Sequence, residues 1–165
     1  MKTSKFIRQI LPLFAAILLL LLPYPAWAAD KDYVLNTAST GGTYHPVGTA
    51  IATLTKVKLL PKQKFSLTAV NSAGSGANVQ ALGAGTADFA ILQGLYGSYA
   101  ATGTGPISEP QKNLRSVTML WQNVEQFLVA NERVKSGTVS DLMGLKGQSA
   151  GMGKQNSGTL GSNNC

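Results

Sequence analysis

The chain has 165 residues, with 14 Lys and Arg against 7 Asp and Glu, 18 Gly and a single Cys at the last position. That length suits one ordinary domain or one domain with appendages, and one terminal cysteine excludes an internal disulfide framework and a Cys-based zinc site. The net charge of +7 is uneven: Lys2, Lys5 and Arg8 are the charges before residue 30, and without them 11 cations face 7 anions, which is weak evidence for a nucleic-acid partner.

The first segment is basic from Lys2 to Arg8 and then uncharged from Gln9 to Ala29. An apolar core over residues 10–22 ends in Pro23, Tyr24 and Pro25, and Ala26-Trp27-Ala28 sets small residues where a signal peptidase reads them. The order predicts a secretory leader over residues 1–28, cleaved after Ala28, and export to a periplasm. The rival is an uncleaved anchor, since a span needs roughly 20 apolar residues; Pro12, Pro23 and Pro25 weigh against it.

Residues 33–39 read as a strand, broken by Gly41-Gly42. A helix follows, with Val47, Ile51, Leu54 and Val57 at three- and four-residue steps. Pro46 suits its first turn and Pro61 stops it. Residues 65–70 are a second strand, 71–76 a Gly-rich turn and 77–82 a short helix closed by Gly83 and Gly85. Residues 88–92 form a third, mostly apolar strand of the kind covered on both faces. A short helix or turn over 94–101 and a Gly- and Pro-containing loop over 102–110 come next. Strands are expected at 116–121, 126–130 and 149–153, a short helix at 139–145, and a loop at 154–159 that opens another helix. No internal repeat or low-complexity tract interrupts this order. Strands alternating with short helices predict an α/β architecture with parallel strands and right-handed crossovers.

A Gly-rich turn between strand and helix recurs at Gly41-Gly42-Thr43, at residues 71–78 and at residues 153–159. Such turns gather at the carboxyl ends of parallel strands, and each helix start offers unpaired N–H groups that suit an anion. The familiar rivals fit less well. Val79 stands where a dinucleotide fingerprint needs its third Gly, and Gln148 and Gln155 spoil a phosphate loop around Gly153-Lys154. His45 is the one histidine and has no second ligand for a metal. Lys56, Lys58, Lys62 and Lys64 read as a solvated face, because no aromatic residues interleave with them. Tyr96 and Tyr99 read as one packed face of a short helix, and Asp88 as a structural residue at a strand entry. No nucleophile, base and acid stand in a catalytic pattern, so no enzyme is expected, and no cofactor or metal.

In order, Gly41-Gly42-Thr43-Tyr44-His45-Pro46-Val47-Gly48, residues 71–78, Gly85-Thr86-Ala87-Asp88-Phe89-Ala90, Asn113-Leu114-Arg115, Asp141-Leu142-Met143-Gly144-Leu145-Lys146-Gly147 and Ser157-Gly158-Thr159 resemble the TAXI-type solute receptors of tripartite ATP-independent periplasmic (TRAP) transporters. The resemblance covers the chain after the leader. It departs at His45, where many relatives carry a second Tyr. It implies a periplasmic-binding-protein-like (type II) fold of two α/β lobes around a cleft. Residues 29–132 would be the first lobe and 133–165 the hinge and the opening of the second, so the expectation is a fragment with most of that lobe missing. The implied ligand is a small organic acid or amino acid, the implied partners are the TRAP permease subunits, and the implied state is a monomer. Carried over by motif, Thr43, Tyr44, Ser72, Ser75, Asn78 and Gln93 would line one side of the cleft, and Ser157, Gly158 and Thr159 the other. Lys154 is the cation nearest these turns in sequence, so neutral N–H and O–H donors would hold most of a ligand carboxylate. A binding lobe of an ATP-driven uptake system or of a sensor is the alternative.

Overall fold

Strand β1 (Lys31–Asn36) forms the centre of a three-stranded parallel sheet of order β2-β1-β3 in a computed structural model that describes residues 30–124 and 126–163. The expected leader lies outside the described residues. Strand β2 (Phe65–Val70) pairs along the whole of β1, from Lys31 beside Phe65 to Asn36 beside Val70. Strand β3 is short, Phe89–Ala90 against Leu35 and Asn36. The chain nonetheless follows β1 on both sides of it, because Asp88 N–H donates to the Val34 carbonyl at 3.1 Å and Ile91 N–H to Asn36 at 3.0 Å. The Asp88 carboxylate also accepts the Val34 N–H at 2.9 Å, the structural role expected at a strand entry.

Helix α1 (Tyr44–Lys58) starts at the expected turn and gives way at Leu59 to a short helix α2 (Leu60–Gln63) with Pro61 in its first turn. Its buried face is rotated from the expected one: Ile51 packs beside the core and Val47 is half-buried, as expected, but the second half of the face is not. Leu54 and Val57 are exposed, and the buried positions are Gly48, Ala52 and Thr55. Small size explains the rotation: a Cβ on Gly48 would run into the Thr37 methyl group, so glycine lets α1 lie close to the end of β1. Thr55 then bridges helix and sheet, donating its hydroxyl to Ala52 O (2.8 Å) and accepting Leu67 N–H (3.0 Å). Leu35, Ala52, Leu67 and Ile91 form this core, with Tyr33, Phe65 and Phe89 packed ring to ring beside it.

Helices α3 (Ser75–Gly83) and α4 (Gly94–Thr102) enclose a second cluster of Val79, Tyr96, Ala100 and Ile107. Tyr96 and Tyr99 meet edge to face at 5.8 Å, as their three-residue spacing suggested. Residues 139–145 form a 3-10 helix, and α5 (Gly158–Asn163) packs on α3 and α4.

The strands expected at 116–121, 126–130 and 149–153 do not form among the described residues. A β-strand needs a partner whose backbone groups face it. These segments run without one, and Val117, Met119, Phe127 and Leu128 are exposed. The architecture is α/β, a parallel sheet flanked by helices, compatible with the first lobe of a periplasmic-binding-protein-like fold.

Candidate functional site

The turn after β1 closes through Gly42 N–H to Ser39 O (2.9 Å) and delivers Thr43 and Tyr44 to the start of α1. The turn after β2 delivers Gly74 and Ser75 to the start of α3, where the φ of +125° at Gly74 needs a glycine. Together with residues 154–159 these turns surround a pocket of 390 Å3 at the carboxyl ends of β1 and β2. Thr43, Tyr44, Ser75, Ser157, Gly158 and Thr159 line it, so most of the residues picked from sequence come together. Ala38, Ser39, Gly42, Ala73, Gly74, Asn123 and Lys154 complete the lining, and Lys154 is the charged residue among them. Among the described residues the ion pair within 4 Å is Lys64 with Asp30 (3.4 Å), which leaves Lys154 without a carboxylate partner there.

Ser72, Asn78 and Gln93 do not line this pocket. Asn78 is completely buried, and its amide nitrogen donates to the carbonyls of Thr37 (2.7 Å) and Ile91 (2.9 Å). Those two acceptors fix which end of the amide is nitrogen. The placement of Asn78 on the cleft wall is therefore corrected: it ties the ends of β1 and β3 together from within. Ser72 Oγ donates to the same Thr37 carbonyl (3.1 Å) and accepts Gly74 N–H (3.1 Å). Gln93 N–H donates to Ser75 Oγ (3.0 Å), and its side chain lies against Gly158.

Thr37 is the junction of this framework, and sequence reasoning missed it. It is fully buried, its N–H reaches Val70 O at 2.9 Å, and its hydroxyl reaches the same carbonyl at 2.8 Å. With the one hydroxyl proton committed to Val70, the Thr37 oxygen accepts from His45 Nδ1, 3.1 Å away. His45 thus anchors the first turn of α1 to the end of β1. Thr37 sits just past β1 and its partner comes from eight residues on, so the strand-end position was its one sequence signal.

Burial raises the Tyr44 phenol above its ordinary range, against the opposing effect of its hydrogen bond with Ser75, so it meets the pocket as a neutral hydroxyl. Its ring packs edge to face on Trp121 at 5.7 Å. Thr43 makes no cap hydrogen bond with its side chain, whereas Ser157 Oγ accepts Leu160 N–H at 3.2 Å as a cap does.

The expected anion seat at the start of α3 is filled by the chain itself. Gly76 and Ala77 N–H both donate to Asn156 O, at 3.0 and 3.4 Å. Among the described residues no group of three or more His, Cys, Asp or Glu side chains could hold a metal, and no helix is long and apolar enough to cross a membrane.

Residues 35–164 match the model of the NMT1-like family. The match spans most of the chain, which belongs to this family, a family of periplasmic binding-protein type. Its members are substrate-binding proteins of transport, in general non-enzymatic and typically periplasmic, with a small-molecule ligand. No curated protein matches the chain.

Proposed function

We propose that this NMT1-like protein is a TAXI-type solute receptor that captures a small organic acid or amino acid and hands it to a TRAP permease. In this reading residues 1–28 are a cleaved leader, residues 29–132 belong to the first lobe, and residues 133–165 form the hinge and open the second. The observation that carries the proposal is the composition of the pocket. Hydroxyls of Thr43, Tyr44, Ser157 and Thr159 surround a space with one cation, Lys154, and no acidic lining residue among those described. That chemistry favours a carboxylate. With the Gly76 and Ala77 amides taken by Asn156, Lys154 bears more of the anion than the sequence suggested.

A thermal-shift and calorimetry screen of small mono- and dicarboxylates and amino acids, run beside neutral sugars and polyamines, tests this. A hydrogen bond to a charged group is worth about 1.5–3 kcal/mol. Lys154→Ala should therefore weaken carboxylate binding about ten- to a hundred-fold with the melting temperature of the free protein unchanged. Binding confined to sugars or polyamines, or carboxylate affinity indifferent to Lys154→Ala, refutes the reading.

A further inference from the structure

Positive charge gathers in one stretch of the chain. Residues 30–64 hold Lys31, Lys56, Lys58, Lys62 and Lys64 against Asp30 and Asp32, a net +3 (5 − 2), whereas residues 65–165 hold 6 cations against 5 anions, a net +1 (6 − 5). All five lysines are exposed. Asp30 meets Lys64 at 3.4 Å, and Asp32 accepts the Ser66 and Thr68 hydroxyls at 2.7 Å each. Lys58 and Lys62 have no carboxylate within 4 Å among the described residues.

The same stretch sets apolar side chains in water. Leu54 is 58% and Val57 61% exposed. Gly48, Ala52 and Thr55 mark the side of α1 that lies on the sheet. At about 100° per residue, Val57 stands opposite that side with Leu54 next to it, and Lys56 and Lys58 fall on the two flanks. Lys56 holds its edge by donating to Thr68 Oγ1 at 3.3 Å. The helix dipole accounts for cations at the end of α1, but not for two aliphatic side chains between them.

We propose that the outward face of α1, with α2, docks the protein on an anionic lipid headgroup layer, the lysines on its phosphates and Leu54 and Val57 entering it. Charge complementarity selects an anionic partner, and the kind of cation selects lipid. All five cations are Lys and none is Arg. Protein interfaces favour Arg and are depleted in Lys. A lysine is a hydrated point charge on a flexible stem, which can lie along an apolar neighbour while its ammonium reaches a fluid layer of phosphates. Helix α1 begins at the pocket with Tyr44 and carries Lys58 about 21 Å away along its axis, so the docked end is not the pocket end. The docking face does not rest on the receptor reading.

Co-sedimentation of the full chain with phosphatidylcholine vesicles, and with vesicles containing about one third phosphatidylglycerol, tests this. The leader is common to all variants, and the neutral vesicles read its contribution. The parent should prefer the anionic vesicles. Lys58→Glu/Lys62→Glu should lose about tenfold or more of that binding, and Leu54→Ser/Val57→Ser about threefold or more. All four side chains are exposed, so melting temperatures should hold. Lys112→Glu/Lys146→Glu makes the same change of charge elsewhere and should stay within about twofold of the parent. Equal binding to both vesicle types overturns the proposal, as does equal loss in the two lysine pairs. Anionic-vesicle binding indifferent to Leu54→Ser/Val57→Ser, with soluble polyglutamate bound as tightly, points to an acidic protein partner and overturns it too.

Discussion

Replacing Asn78 separates a framework residue from a ligand contact. In Asn78→Ala the donors to Thr37 O and Ile91 O disappear. Two net hydrogen bonds at about 0.5–1.5 kcal/mol each come to about 1–3 kcal/mol. Thr37 O keeps Ser72 Oγ, but Ile91 O loses its side-chain donor in a buried setting, which adds to the loss. Removing Asn78 Oδ1, a buried acceptor without a hydrogen-bond partner among the described residues, offsets part of it. The expected sum is about 2–3 kcal/mol, a large share of the 5–15 kcal/mol typical of a domain, with a melting temperature lower by about 10 °C. Urea titration followed by far-ultraviolet circular dichroism reads it directly. Asn78→Asp should be worse near neutral pH, because a carboxylate would face two carbonyls. Burial there raises the folded-state pKa above the unfolded value, so its stability is greatest in acid and falls as pH rises through the folded pKa. A loss below about 0.5 kcal/mol in Asn78→Ala, the range of a surface change, would refute the framework role and return Asn78 to the cleft wall.

Gly48→Ala and Gly97→Ala should have opposite signs. A Cβ at Gly48 meets the buried Thr37 methyl and should cost about 1–3 kcal/mol; one at Gly97 meets nothing within 4 Å inside α4 and should stabilise by about 0.5–1 kcal/mol. Urea midpoints of the two variants decide it, and equal shifts defeat the close-packing account of α1. Asp141 accepts the Ser136 hydroxyl at 2.7 Å and the N–H groups of Ser136, Lys135 and Gly137, which hold its pKa down at about 2. A depressed pKa means that this loop is held at pH above the ordinary carboxylate value and released as pH falls through about 2. The Ser136 and Gly137 amide shifts followed by NMR should show that midpoint, and a midpoint near 4, the unperturbed value, removes the capped-loop account.

Strand β2 was legible because Phe65–Val70 lies between Pro61, which stops the helix before it, and the polar, Gly-rich turn after it, both local signals. The helix at residue 44 was legible for the same reason, through Gly41-Gly42 and Pro46. Its buried face was not. Hydrophobic periodicity points to Leu54 and Val57, but the face against the sheet was chosen by the absence of a side chain at Gly48 and by the hydroxyl of Thr55, neither of which hydropathy weighs. Residues 116–121 and 126–130 carry the apolar and β-branched character of strands, which favours extended backbone but cannot supply a partner ladder. Two sides of the pocket were legible as the Gly-rich turns after β1 and β2, since parallel strands bring their carboxyl ends to one side; the turn at 153–159 reaches the pocket without the strand expected before it, through the Asn156 carbonyl on α3. Which donors remain for a ligand was hidden, because Asn156 and Gly76 lie 80 positions apart (156 − 76) and nothing in either segment announces the other.

The sheet places its earliest strand in the middle. Ser66 joins Asp32 across 34 positions, and Asp88 joins Val34 across 54. A chain fed out from its amino end therefore offers β1 long before either flank exists. Leu35 and Tyr33 have no sheet to enter until β2 has followed, and β1 lacks its second edge until Ile91 has appeared. Such distant pairings are slow to close, so the central strand waits longest for its neighbours and the sheet is completed only once residue 91 has joined it.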